Sequence, residues 1–314
     1  MRINPSILAG LGRLILTPLF VVGMAMQSLS LQAGSLFYTE SESLQPFTVA
    51  SAAELKVFFD QRDYRWPPGG QVPAIALQRL PPDFADIRSS TARKHLFLRT
   101  LLPMVLAENR RLREQRQLVL LLLDNPPLAD GRLEKWLAET AREYRIRGDL
   151  RTAENRVELL QRLDEIPTAL SLAQAAIESG WGTSRFALEG NSLFGQWTYK
   201  KTGGLTPEKR AEDATHSVKA FPNLQASVRA YMHNLNIGHA YEDLRDTRAR
   251  LRAAGEKPGP LQLAAHLQRY SQRGEDYVRE VQRMITSHDF AVLYRDGARE
   301  PRLVASNVME NQGS

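Results

Sequence analysis

The 314-residue chain contains no cysteine. Disulfides and a lipid anchor on an N-terminal cysteine are therefore excluded, and the fold must be held by packing. A membrane-length apolar run is also missing. The run from Leu14 to Met26 is 13 residues long, which is signal-peptide length and short of the roughly 20 that span a bilayer. Histidine is sparse: of six, His233 and His239 stand six apart without an HExxH pattern, and His95, His216, His266 and His288 are isolated. No metal site is expected from them. There is no Gly-x-Ser-x-Gly elbow, P-loop or dinucleotide fingerprint, so the hydrolase, nucleotide and redox classes built on them lose support and no cofactor is expected. A basic stripe with interleaved aromatics is absent too, which argues against a nucleic-acid partner.

What is present begins with an address. Arg2 and Arg13 precede the apolar run, and the first acid is Glu40. Residues 1–33 therefore read as an export segment. Ser28-Leu29-Ser30 offers a small-x-small cleavage site, whereas Leu31 before Ala33 is bulky, so a cleaved signal peptide and a retained signal anchor both remain open. Lys plus Arg number 41 against 35 acids; without residues 1–33, which hold two of the basic residues, the excess is +4. That suits an anionic wall polymer or simply solubility.

Residues 34–53, rich in Ser, Thr and Glu, read as a tether. Residues 64–87, with Trp66-Pro67-Pro68-Gly69-Gly70 and Pro81-Pro82, read as irregular,. Ser90 or Thr91 caps a long expected helix to about Asp124, interrupted or kinked at Pro103. Its Arg110, Arg111, Arg113 and Arg116 read as a solvated face in preference to a ligand patch. Further helices are expected from Gly131 through Trp136 to Arg145 and around 155–164, 167–179, 224–235, 241–252, 261–268 and 276–287, with a short strand at 216–221. The tail 299–314 reads as disordered.

The densest chemical signal lies at residues 173–197. Pro167 opens a helix whose stripe is Leu170, Leu172, Ala173, Ala176 and Ile177, and Gly180 stops it,. Glu178 then falls in the last turn. The negative end of the helix dipole, and Trp181 as a shield from water, both raise a carboxyl pKa. A carboxylic acid protonated near neutral pH is what a glycosidase uses on the leaving oxygen. Alone, Glu178 reads equally as a salt-bridged helix-end acid.

The surrounding motifs change that. Glu178-Ser179-Gly180-Trp181-Gly182 and Asn191-Ser192-Leu193-Phe194-Gly195 are followed by Phe221-Pro222, Ser227 to Tyr231, Ala240-Tyr241 and Tyr270-Ser271-x-x-Gly274-x-x-Tyr277. In order and spacing the chain resembles the bacterial peptidoglycan endo-β-N-acetylglucosaminidases over about residues 54–295. The resemblance is strongest to the Bax-like proteins of Gram-negative bacteria, in which Phe-Gly-Gln-Trp and an upstream basic helix with Leu102-Pro103 and Asn109 are typical. It implies a mainly α fold: a lysozyme-like helical lobe with a small β lobe at 151–298, preceded by extra N-terminal helices at 54–150 packed on the catalytic domain. It also implies a periplasmic location, free or attached to the inner membrane, and peptidoglycan glycan strands as partner.

The implied activity is cleavage of the N-acetylglucosaminyl-β-1,4-N-acetylmuramic acid bond, with Glu178 as general acid. The family's second acid, where present, falls in the β lobe about thirty residues on. Glu208 fits best, Glu212 and Asp213 share the window, and the substrate's 2-acetamido group is the remaining alternative. Trp181, Asn191, Phe194, Trp197, Tyr241 and Tyr270 are the candidate substrate-binding residues, since aromatic faces stack on sugar rings. Phe194 and Tyr277 read more readily as core, and Asn191 as either a sugar ligand or a loop cap. A lytic transglycosylase and a non-catalytic wall-binding scaffold are the alternative functions.

Overall fold

The structure, a computed structural model, describes residues 44–125, 131–198, 202–206, 217–294 and 301–305. The expected export segment, most of the expected tether and the tail beyond residue 305 lie outside them. In chain order the elements are β1 (Gln45–Phe47), α1 (Ala52–Asp60), β2 (Gln71–Pro73), β3 (Ile75–Leu77), α2 (Ser90–Asp124), α3 (Gly131–Glu143), α4 (Ala153–Arg162), α5 (Thr168–Ser179) and α6 (Arg185–Gly190). There follow β4 (Trp197–Thr198), β5 (Gly204–Leu205), β6 (Ser217–Lys219), α7 (Leu224–Ile237), α8 (Glu242–Ala253), α9 (Pro260–Ala264), α10 (Glu275–Thr286), α11 (His288–Ala291) and β7 (Arg302–Val304). The fold is mainly α, with only small sheets. Among the described residues no helix is long and apolar enough to cross a membrane.

The helix α5 sits at the centre. Its residues Ala169 to Ala176 are buried without interruption, and α2, α9, α10 and α11 all pack on it. Small side chains permit that crowding: Ala169, Ala173, Ala175 and Ala176 leave room for neighbouring backbones to approach,. The entry to α5 is fixed by Asn109 of α2, whose amide nitrogen donates to the Ile166 carbonyl (2.8 Å) and whose oxygen accepts from the Ile166 N–H (3.1 Å). Pro167 is the N-cap, one residue before the first helical turn, and Gly180 ends the helix in the left-handed conformation,.

The long helix α2 runs unbroken through the buried Pro103 and is capped by Ser89, not Ser90 or Thr91. Ser89 Oγ accepts from the Ala92 N–H at 3.2 Å. Its arginine run is not a solvated face. Arg113 pairs with Glu165, Arg116 donates to the carbonyls of Leu160 and Leu163, and Arg111 binds Glu108, whose side chain is 1% exposed. Arg113 and Arg116 tie α2 to the end of α4 and the loop that precedes α5, so this part of the charge run is turned inward by partners some fifty residues away.

Three other segments differ from the expectation. The described end of the tether forms β1, which pairs in parallel with β3 and buries Leu44 and Phe47, and residues 52–53 already belong to α1. Within the irregular 64–87 stretch lie β2 and β3. The described part of the tail forms β7, parallel to β2, with Ala74 N–H donating to the Val304 carbonyl (2.8 Å). The small β lobe is the antiparallel set β4-β6-β5, with Trp197 opposite Val218 and Gly204 opposite Lys219.

Gly182 is where the Glu178 segment meets the N-terminal region. Its φ is +79°, and an added Cβ would lie 2.9 Å from Leu80 Cδ1, 3.0 Å from Phe97 and 3.1 Å from Phe84. All three neighbours are buried. Gly182→Ala is expected to destabilise the protein by about 1–3 kcal/mol through overpacking and positive-φ strain. Thermal unfolding checks this; an unchanged melting temperature would refute it.

Candidate active site

Glu178 emerges on the last turn of α5, half-buried, with Gly195 of the Asn-Ser-Leu-Phe-Gly loop facing it: a Cβ on Gly195 would stand 3.5 Å from Glu178 Oε2. Burial raises the Glu178 pKa above the ordinary carboxyl value; a hydrogen bond from Tyr277 and the charge of Arg273 work against this, and the charge of Glu280 adds to it,. The carboxyl therefore sits in a place that favours its protonated form.

A polar chain supports it from below. Tyr231 OH donates to Gln174 Oε1 (2.7 Å) and Gln174 Nε2 donates to Tyr277 OH (2.9 Å), and the Tyr277 hydroxyl acts on Glu178, lowering its pKa. Gln174 lies one helical turn before Glu178 and is fully buried, so the two share a face of α5,. With Gln174 donating to its oxygen, the Tyr277 hydroxyl keeps its own proton available for the carboxylate once a proton has left Glu178. Burial, and next the Glu178 charge, raise the Tyr277 pKa, so its hydroxyl stays protonated across the neutral range.

The other tyrosines pack around this chain. Tyr270 stacks on Tyr277 (centroids 5.4 Å apart, planes 1° from parallel) and donates its hydroxyl to the Phe194 carbonyl at 3.1 Å. Tyr241 lies 6.0 Å from Tyr270 and is pushed up to about 12 by burial and, beyond that, by Glu178. Tyr231 stacks on Phe194 at 3.9 Å. The expected residues Tyr241, Tyr270 and Phe194 are thus gathered near Glu178, Phe194 from within the core at 2% exposure.

Asn191 is buried, caps α6 in the left-handed conformation and donates to the Phe221 carbonyl at 3.1 Å, so its amide nitrogen orders the loop. Trp181 packs between Phe97 and Phe290 with Lys94 Nζ 5.0 Å over its ring. Its ring belongs to the joint between α2, α5 and α11. Trp197 on β4 is exposed at 57% and presents an aromatic face on the β lobe. Glu208, Glu212 and Asp213 lie outside the described residues.

Sequence reasoning left out Gln174, Glu280 and Arg273. Arg273 Nη2 lies 2.7 Å from Glu280 Oε2, and Glu280 is one turn beyond Tyr277 on α10. A signal for Gln174 existed: it is the lone amide on an Ala- and Leu-rich helix, four residues before the acid. Among the described residues no group of three or more His, Asp and Glu side chains is gathered as a metal site requires.

Comparison with known proteins supplies the lineage. The family described as mannosyl-glycoprotein endo-beta-N-acetylglucosaminidase matches residues 154–290, which hold Glu178 and all four tyrosines. Protein bax of Escherichia coli (strain K12) is 32% identical over 216 residues, 66% of this chain and 76% of that protein. The chain belongs to the glucosaminidase family. No solved structure matches it. Membership brings a glycosidase-type function directed at glycan related to peptidoglycan, and it puts the tyrosine-lined Glu178 inside the family's matched segment while α1 and α2 fall before it.

Tyr277→Phe probes that arrangement. Removing the hydroxyl deletes a bond that lowers the Glu178 pKa, so the pKa should rise further. The alkaline limb of a rate profile governed by protonated Glu178 is expected to move to higher pH, with kcat reduced by about tenfold or more from the lost carboxylate support. An alkaline limb that stays in place would contradict the Tyr277–Glu178 coupling.

Proposed function

We propose that this glucosaminidase-family protein hydrolyses the N-acetylglucosaminyl-β-1,4-N-acetylmuramic acid bond of peptidoglycan, with Glu178 as general acid. The observation that carries the reading is the half-buried Glu178 carboxyl, its pKa raised by burial, faced by Gly195 and influenced by a tyrosine that is itself held by Gln174. In the reaction Glu178 gives its proton to the leaving glycosidic oxygen, and Tyr277 stabilises the carboxylate that results. The exposed Trp197 and the partly exposed Tyr270 provide faces for sugar rings, with Tyr241 packed behind Tyr270,. The opposite group, which meets the developing positive charge at the sugar, is Glu208, Glu212, Asp213 or the substrate's own acetamido group. The enzyme acts in the periplasm, soluble or held at the inner membrane by its first 33 residues.

A lytic transglycosylase is the second reading, favoured by the fact that the described carboxylate acting on Glu178, Glu280, is already engaged by Arg273. Borohydride reduction of sacculus digests followed by mass spectrometry separates the two. New N-acetylglucosaminitol ends are expected. Anhydromuramic ends would replace the proposal with the transglycosylase, and binding without any product would replace it with a scaffold.

A further inference from the structure

Away from the tyrosine cluster, a cavity of about 630 Å³ opens where α3, α4 and the start of α8 converge. Five arginines, Arg142, Arg145, Arg147, Arg162 and Arg245, line it against one acid, Glu242. Arg162 is anchored by the carbonyls of Tyr144 and Arg145 and pairs with Glu158. Arg245 is only 6% exposed and donates to the carbonyls of Leu235 and Gly238. Burial, and next the charge of Arg162, hold the Arg245 pKa below its usual value, a repulsion that a bound anion would relieve. Arg145 and Arg147 have no carboxylate in salt-bridge reach among the described residues and are exposed at the cavity mouth.

The backbone adds an independent sign. Arg145 follows α3 with φ +60°, its N–H bonded to the Arg142 carbonyl and that of Ile146 to Ala141, a helix end at which glycine is the unstrained choice,. An arginine held in the left-handed region costs on the order of a strained residue and points to a use for its side chain. One turn links the cavity wall to the tyrosine cluster: His239, on the wall, lies two residues before Tyr241, whose hydroxyl feels the Glu178 charge.

We infer that the arginine-lined cavity is a subsite for carboxylate groups on peptide branches of the glycan substrate. Guanidinium groups bind carboxylates in bidentate pairs, and several converging forks select a branch with more than one acid. An extended branch of four residues reaches about 13 Å from the sugar that carries it. The inference rests on the glycan-cleaving reading above, and its test is built to fail separately from it.

Titration of the non-cleaving Glu178→Gln variant with a disaccharide-tetrapeptide, and with the same fragment carrying amidated carboxylates, measures binding without turnover. The free-acid fragment is expected to bind roughly tenfold or more tighter, and Arg145→Gln/Arg147→Gln in that background to erase the difference. Arg145→Gly removes one guanidinium while relieving the positive φ, so weaker binding should accompany a higher melting temperature. Equal affinity for the two fragments, or competition by inorganic pyrophosphate at a site that ignores the free-acid fragment, would overturn the subsite. Carboxylate-dependent binding with no cleavage by the wild type would sink the enzymatic reading and leave the subsite standing.

Discussion

Asp164→Asn is expected to cost about 3 kcal/mol of stability, the loss that follows when one partner of a buried ion cluster is removed. Asp164 is 2% exposed and lies at the end of α4, where it meets arginines from α2 and α8. Arg252 grips it with both ends of its fork, 2.5 Å from Nε to Oδ2 and 2.6 Å from Nη2 to Oδ1. Arg248 Nε is 3.7 Å away on a residue that is 1% exposed, and Arg116 Nη1 is 4.0 Å away. Arg248 also donates to the carbonyls of Gln161 and Glu165, so it cannot swing to water when the acid is lost. The low end of the usual range applies because Glu165 remains for Arg252 at 3.4 Å,. For a domain of this size the melting temperature should fall by roughly 6–12 °C.

The same cluster sets the acid limit. Burial alone would raise the Asp164 pKa, but Arg248, Arg252 and Arg116 outweigh it and hold the carboxyl below its ordinary value. A depressed carboxyl pKa contributes stability above its unfolded value of about 3.9 and loses it as pH falls through the folded value. Denaturant titrations should therefore show this stability declining below about pH 4 in the wild type and a flatter acid profile in Asp164→Asn.

Glu178→Gln is expected to lower the cleavage rate by at least about 10²-fold while raising the melting temperature. The rate loss follows from removing the proton donor and keeping the shape. The stability gain follows from linkage. Burial raises the folded pKa of Glu178, so the folded state resists ionisation and its relative stability, full below the unfolded pKa, declines as pH rises to the folded value,. Above that window an ionised, half-buried carboxylate is a standing cost that an amide avoids. A variant less stable than the wild type at neutral pH would show that the Tyr277 bond and Arg273 outweigh burial.

Much of this was legible in the chain because helices leave a local record. The stripe from Leu170 to Ile177 and the stop at Gly180 placed α5 within a residue of its observed limits. The span of α2 was read as closely, although Ser89 caps it. What escaped depends on partners distant in sequence. The three-residue strands β1, β2, β3 and β7 pair in parallel across 30 to 231 positions, and nothing within so short a segment announces its mate,. The arginines of α2 looked solvated because Glu165 and the carbonyls of Leu160 and Leu163 come from another helix and its loop.

At the site, the motif exposed Glu178, but the division of labour among the aromatics needed three dimensions. Tyr277 reads as core; it is buried, yet its hydroxyl lowers the Glu178 pKa. Trp181 reads from the sequence as a shield of the acid; in the fold its ring is held by Phe97, Phe290 and Lys94. The second acid could not be chosen from sequence because Glu208, Glu212 and Asp213 crowd one loop without a motif to rank them.

The most direct measurement is a matched digest of purified sacculi by the wild type and Glu178→Gln, with folding of both confirmed and N-acetylglucosamine reducing ends counted. Release by the wild type and its near-abolition in the variant is the predicted result; equal release by the two would contradict Glu178 as the catalytic acid.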